Sequence, residues 1–144
     1  MEYTLEDGTR LIRYIRNNLE AYLTNQQKLP YSDELREKYG TKQGLFVTLN
    51  KHNVQGNPLR GCIGMILPVK PLIQAAQEMS IAAAVEDPRF PQVTLKELPK
   101  TVIEISILSV PEVIVAENQQ AIINDIKIGR DGLIITKGNR RGLL

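Results

Sequence analysis

Six side chains near the N-terminus, Leu11, Ile12, Ile15, Leu19, Tyr22 and Leu23, recur at steps of three and four residues. That spacing winds onto one stripe of a helix, so residues 4 to 24 read as an amphipathic helix with a single face to bury. Thr4 stands where a cap would sit, and Glu6 and Asp7 fall in the first turn, where carboxylates meet the positive end of the helix dipole. A stripe of this length is stable only against a second layer, which the rest of the chain must supply.

The partner layer reads as a sheet. Residues 25 to 43 carry amides, Pro30, Ser32 and a charged run, and read as a connection with one short helical turn. Gly44 to Leu49 is β-branched and aromatic, and Leu59 to Leu67 reads as its returning strand across the loop Asn50–Pro58. Pro71 opens a second helix running to about Val85, with Leu72, Ile73, Ala76, Met79 and Ala83 on its apolar face. The segment Asp87-Pro88-Arg89-Phe90-Pro91 stops it, because proline disfavours helical geometry in the residue before it. Residues 102 to 108 alternate, with Ile103, Ile105 and Ile107 to one side and Glu104 and Ser106 to the other, as in a half-buried strand. Residues 117 to 124 read as a short helix. A hairpin is expected about Gly129-Arg130-Asp131-Gly132, with Ile126–Ile128 and Leu133–Ile135 as its strands. Two long helices and about five strands without a βαβ rhythm predict an α+β protein: a two-layer α/β sandwich, mainly antiparallel, flanked by helices.

Composition bounds the function classes. At 144 residues, 42% hydrophobic and 24% charged, the chain fits one globular domain spanning residues 1–144. A net charge of +2 gives no ground for a nucleic-acid or membrane partner. One cysteine makes no internal disulfide, and one histidine argues against a closed zinc site, so no metal is expected. The N-terminus lacks the basic and apolar regions of a secretory signal, and no apolar run approaches the ~20 residues that span a bilayer. A free thiol then fits a reducing compartment, and a cytoplasmic location is the expectation.

Leu59-Arg60-Gly61-Cys62-Ile63-Gly64 is the most unusual stretch. Two glycines in a strand-like segment imply close approach of something to the backbone, or a bulge that redirects Arg60 and Cys62. Cys62 has two readings: a nucleophile activated by a nearby cation or helix start, or a small buried hydrophobe. Asp87-Pro88-Arg89-Phe90-Pro91 is a stiff loop presenting an arginine and an aromatic ring, or simply a helix stop with an internal Asp87–Arg89 contact. Gly129–Gly132 is explained by a turn alone, yet Arg60, Arg89 and Arg130 each lie beside Gly or Pro. Such arginines suit a carboxylate or phosphate, which the guanidinium fork binds bidentately. There is no phosphate-binding loop, no dinucleotide fingerprint and no paired-histidine helix. His52 reads as a solvated loop side chain, with a Cys62–His52 pair as the alternative.

These motifs, with Ile103–Leu108 and Ile128–Ile134, resemble in order the signatures of the AMMECR-type domain family, over residues 4 to 144. The resemblance implies an α+β fold with a larger and a smaller lobe, each a sheet covered by helices. It places the family's proposed site on Arg60, Gly61, Cys62, Ile63 and Gly64, and carries its Asp-Pro-Arg-Phe segment onto Asp87 to Phe90. It implies no particular cofactor or reaction. Partners of Memo-type and radical S-adenosylmethionine proteins are what it suggests in prokaryotes. Family members continue beyond Gly142-Leu143-Leu144 through a further strand and a tryptophan-bearing helix to a second cysteine. This sequence has no tryptophan, so it is expected to lack the C-terminal part of the family domain, leaving Cys62 more exposed if that part covers it.

Two functions compete. One is a cleft for a small molecule or anion, catalytic or not, with Cys62 and Asp87 as reacting groups and Arg60, Gly61, Gly64, Arg89, Phe90 and Arg130 as binding residues. The other is a protein-interaction module with no chemistry of its own. Nucleic-acid binding ranks third.

Overall fold

The helix start at Thr4 is closed by a reciprocal cap. The Thr4 hydroxyl accepts from the Asp7 N–H at 3.2 Å, and the Asp7 carboxylate accepts from the Thr4 N–H at 2.9 Å. From this cap α1 runs Leu5–Asn25, burying Leu11, Ile15 and Leu19 of the expected stripe, with Ile12, Tyr22 and Leu23 half-buried, and burying Tyr14 and Asn18 beside them. A computed structural model gives this architecture and describes residues 3–143. The helical turn expected in the connection is α2, Asp33–Lys38, capped by Ser32. It is tied back to α1 by Lys38, whose Nζ lies 2.7 Å from the Asp7 carboxylate, and by the buried Tyr39, whose hydroxyl donates to the Asp7 carbonyl.

Three antiparallel strands follow: β1, Leu45–Lys51; β2, Leu59–Met65; and β3, Thr101–Ile107. They order β2-β1-β3, so β1 is central and β2 and β3 are edges. Val47 lies between Ile63 and Ile105, and Leu49 between Gly61 and Ile103, which sets the apolar residues of all three strands on one face. Onto that face packs α3, Leu72–Val85, and α1 packs against α3 and β3. Pro71 is the cap rather than the first helical residue, since its carbonyl already accepts from the Ala75 N–H. Because α3 has the sheet on one side and α1 on the other, it is buried around most of its circumference, well beyond the five-residue face its periodicity suggested.

Two features fix how α3 sits. On the α1 side, Asn18 donates to the Gln77 carbonyl and the Ser80 hydroxyl at 3.1 Å each, and accepts from the Leu29 N–H. Gln77 donates to the Tyr14 hydroxyl and the Leu29 carbonyl. This network closes the helix interface and pins the chain after α1, and burial pushes the Tyr14 hydroxyl up to about 12. On the sheet side, the Ala83 carbonyl presses on Gly61 so closely that a Cβ there would collide with it.

The chain divides into two compact units, Met1–Pro111 and Glu112–Leu144. The second holds α4, Gln119–Asp125, and a hairpin of β4, Ile134–Lys137, with β5, Arg140–Leu143. This corrects the hairpin expected across Gly129–Gly132. There the Arg130 and Asp131 N–H groups donate to the Lys127 carbonyl, and the Asp131 carboxylate accepts from the Lys127 N–H. The aspartate therefore closes a local turn on itself, and the ladder forms later, about Gly138 at φ +58°. That is the first central position of a two-residue hairpin turn, where glycine is favoured. The α+β class and the antiparallel pairing agree with expectation.

Gly61→Ala is expected to cost about 3 kcal/mol, because the colliding group is backbone and cannot rotate away. Gly142→Ala, where a Cβ meets open space, should stay within about 0.5 kcal/mol. Urea midpoints of the two variants check the contrast.

Candidate functional site

The site begins with a bulge in β2. The register with β1 shifts between Leu49 and Asn50, which pair with Gly61 and Leu59, so Arg60 has no partner on β1. Arg60 is 5% exposed, and its fork is almost fully used. Nε donates to Glu97 at 3.0 Å, Nη1 to the Pro91 carbonyl at 2.7 Å, and Nη2 to the Gln92 carbonyl at 3.1 Å. The guanidinium in turn holds Glu97 down at about 2. Glu97 also caps its own turn, accepting from the Thr94 N–H and hydroxyl. Arg60 thus binds the 91–97 segment to the sheet.

Two residues on, Cys62 directs both of its peptide groups away from β1, at the free edge of the sheet. The missing neighbouring strand is replaced by side chains. The Asp87 carboxylate accepts from the Cys62 N–H at 2.9 Å, and Arg89 donates to the Cys62 carbonyl at 3.2 Å. Asp87 and Arg89 also pair with each other, through Nε at 2.9 Å and Nη2 at 2.7 Å. The Asp87 side chain is buried, whereas that of Arg89 is 54% exposed and lies over the Phe90 ring at 5.5 Å. Hydrogen bonding from Arg89 holds the Asp87 carboxyl well below the usual carboxylate range. Burial opposes this, and the Cys62 and Arg89 N–H groups add to it.

The Cys62 thiol is half-buried on the sheet face turned away from α3, 3.2 Å from the hydroxyl of Thr48, its direct partner on β1. The close approaches expected at the two glycines come from the protein itself. They are the Ala83 carbonyl at Gly61 and the Phe46 ring at Gly64. His52 stands four residues beyond Thr48, about 13 Å along the strand direction from Cys62 at ~3.3 Å per residue, so the two make no pair. Arg130 belongs to the second unit, where it pairs with Asp131 at 2.6 Å. Cys62, Asp87, Arg89 and Phe90 therefore form one local group, with Arg60 beside them as a buried brace. The sequence reading missed Glu97 and Thr48. The motif Thr94-Leu95-Lys96-Glu97 carried a capping-box signal for the first. The second follows only from strand register.

The family model described as AMMECR1 matches residues 12–144. Protein MJ0810 of Methanocaldococcus jannaschii is 46% identical over 141 residues, covering 98% of this chain and 68% of that protein. Protein PF1979 of Pyrococcus furiosus is 43% identical over 145 residues, covering 99% and 69%. The crystal structure of the uncharacterized protein PH0010 from Pyrococcus horikoshii superposes with a TM-score of 0.87 at 42% identity, over 95% of this chain and 68% of that one.

A carboxyl whose pKa falls on folding adds stability above its unfolded value of ~4, and loses it as pH drops through the folded value. Asp87 and Glu97 both act this way, so the urea midpoint should fall steadily from about pH 4.5 to about pH 2. Asp87→Asn should lower stability by about 2 kcal/mol at neutral pH and flatten that acid slope. Equal slopes for variant and wild type would refute the assignment. Arg60→Ala should cost about 3 kcal/mol, since it strands the polar groups that the fork holds.

Proposed function

The chain belongs to the AMMECR1 family, and on that premise we propose that it is a binding module whose recognition surface is the patch around Cys62, rather than an enzyme. The observation that carries this reading is the commitment of Asp87 and Arg60 to the frame. Asp87 is clamped by Arg89 and two peptide N–H groups, which keeps it ionised at neutral pH and removes it as a proton carrier. Arg60 is buried in its contacts with Glu97 and two carbonyls, so it braces the patch and touches no partner. What stays available is a fixed surface: the Cys62 thiol, the exposed part of Arg89 and the Phe90 ring.

A rigid strand edge with one guanidinium and one aromatic ring suits a partner that presents a carboxylate beside an apolar side chain. A Memo-type or radical S-adenosylmethionine protein is the partner class proposed, and the cytoplasm is the proposed setting. Gly61 and Gly64 serve the patch indirectly, by letting α3 and Phe46 seat against β2. A second reading, anion capture by Arg89 with the thiol as nucleophile, is favoured by the half-exposure of Cys62 beside that cation.

Thiol labelling separates the readings. With a purified Memo-type protein at saturating concentration, alkylation of Cys62 should slow at least about tenfold, and Arg89→Gln should abolish the protection. Unchanged labelling would refute the module with that partner. Labelling of the free protein much faster than that of an unfolded cysteine peptide at neutral pH would favour the nucleophile.

A further inference from the structure

Away from Cys62, an open depression of about 390 Å³ lies where α1 meets the start of β3, lined among others by Ile12, Arg16, His52, Lys100 and Val102. Three of these side chains are basic, and no lining residue is acidic. Arg16 is fixed in place by the backbone: Nη1 donates to the Leu98 carbonyl at 2.9 Å and Nη2 to the Thr101 carbonyl at 2.8 Å. Peptide carbonyls hold a guanidinium without cancelling its charge, and these two bonds leave three of its five N–H groups free. Among the described residues, no carboxylate lies within 4.0 Å of a charged nitrogen of Arg16, His52 or Lys100. Elsewhere in this unit Arg10, Arg36, Arg60 and Arg89 have a carboxylate within 4.0 Å, whereas the exposed Arg13, like Arg16, has none among the described residues. His52 is held at the rim by its own backbone N–H, which donates to the Lys100 carbonyl at 2.9 Å, so the two basic side chains start from neighbouring points.

We infer that this depression binds a phosphate monoester with an apolar substituent. Three donor-bearing side chains on separate elements exceed what one carboxylate needs, and they match a group with up to two charges and three acceptor oxygens. Ile12 and Val102 supply apolar wall for the substituent, and Val102 is 44% exposed, a large β-branched side chain left uncovered on the strand. The preset Arg16 fork lowers the ordering cost of binding, because its rotamer is already fixed. The site shares no residue with the patch around Cys62 and stands or falls separately from it.

The test is a titration of the whole protein with phenyl phosphate at low salt, followed by amide and arginine Nε chemical shifts. Shifts should concentrate at Arg16, His52, Lys100 and Val102, with inorganic phosphate binding more weakly and benzyl alcohol not at all. Arg16 also braces Leu98 and Thr101, so the variants are the exposed His52→Ala and Lys100→Ala, each expected to weaken binding about fivefold. Lys28→Ala, which removes the same charge away from the depression, should leave affinity unchanged. Shifts spread evenly over unrelated lysines, equal loss in Lys28→Ala, or full affinity in the His52→Ala/Lys100→Ala double variant would overturn the proposal.

Discussion

The outer edge of β2 is the constraint on which the site depends. An edge strand presents peptide groups that must find partners, and no fourth strand serves β2 among the described residues. Asp87 and Arg89 take its place, one accepting from the Cys62 N–H and the other donating to its carbonyl. Pairing with each other holds both side chains at the spacing that an edge residue requires. The clamp arises directly from the end of α3: Glu86 caps the helix, Pro88 forbids its continuation, and the chain turns back onto the strand that α3 covers.

Arg60 extends the same solution by a different route. The bulge frees it from the ladder, and its charge is satisfied inside the protein by Glu97 and by the carbonyls of Pro91 and Gln92. A buried cation is costly to leave unpaired, so the 91–97 segment must stay where Glu97 and the two carbonyls answer Arg60. Strand edge, helix stop and loop thereby become one rigid body around a half-exposed thiol. Recognition needs such rigidity, whereas proton transfer would need a group free to change its charge.

Much of this was legible from the residues. The stripe from Leu11 to Leu23, the alternation at Ile103–Ile107 and the cap at Thr4 are local patterns, and each produced its element. The pair of glycines in β2 correctly signalled both close approach and a bulge, although what approaches is the protein's own helix and ring. The second hairpin was misplaced because Gly-Arg-Asp-Gly and Gly138-Asn139 carry similar turn chemistry. The choice fell to Asp131, whose side chain closes the earlier turn by bonding back to Lys127. Glu97 carried only the capping-box signal of its own turn, and Thr48 carried none, since nothing in their neighbourhoods names Arg60 or Cys62 as a partner.

The sequence by itself determined the two long helices, the strands of the three-stranded sheet, the α+β class and two of the segments from which the site is assembled, Leu59–Gly64 and Asp87–Pro91, because periodicity, capping and proline act over a few residues. Only the tertiary structure decided what those segments do. Whether an arginine is a free ligand or a buried brace depends on which carbonyls and carboxylates lie within about 3 Å of it, and those come from 31 to 37 residues away along the chain for Arg60 and from 82 to 85 for Arg16. The same distance rule separates Arg60, enclosed by Glu97, from Arg16, fixed but unanswered in charge.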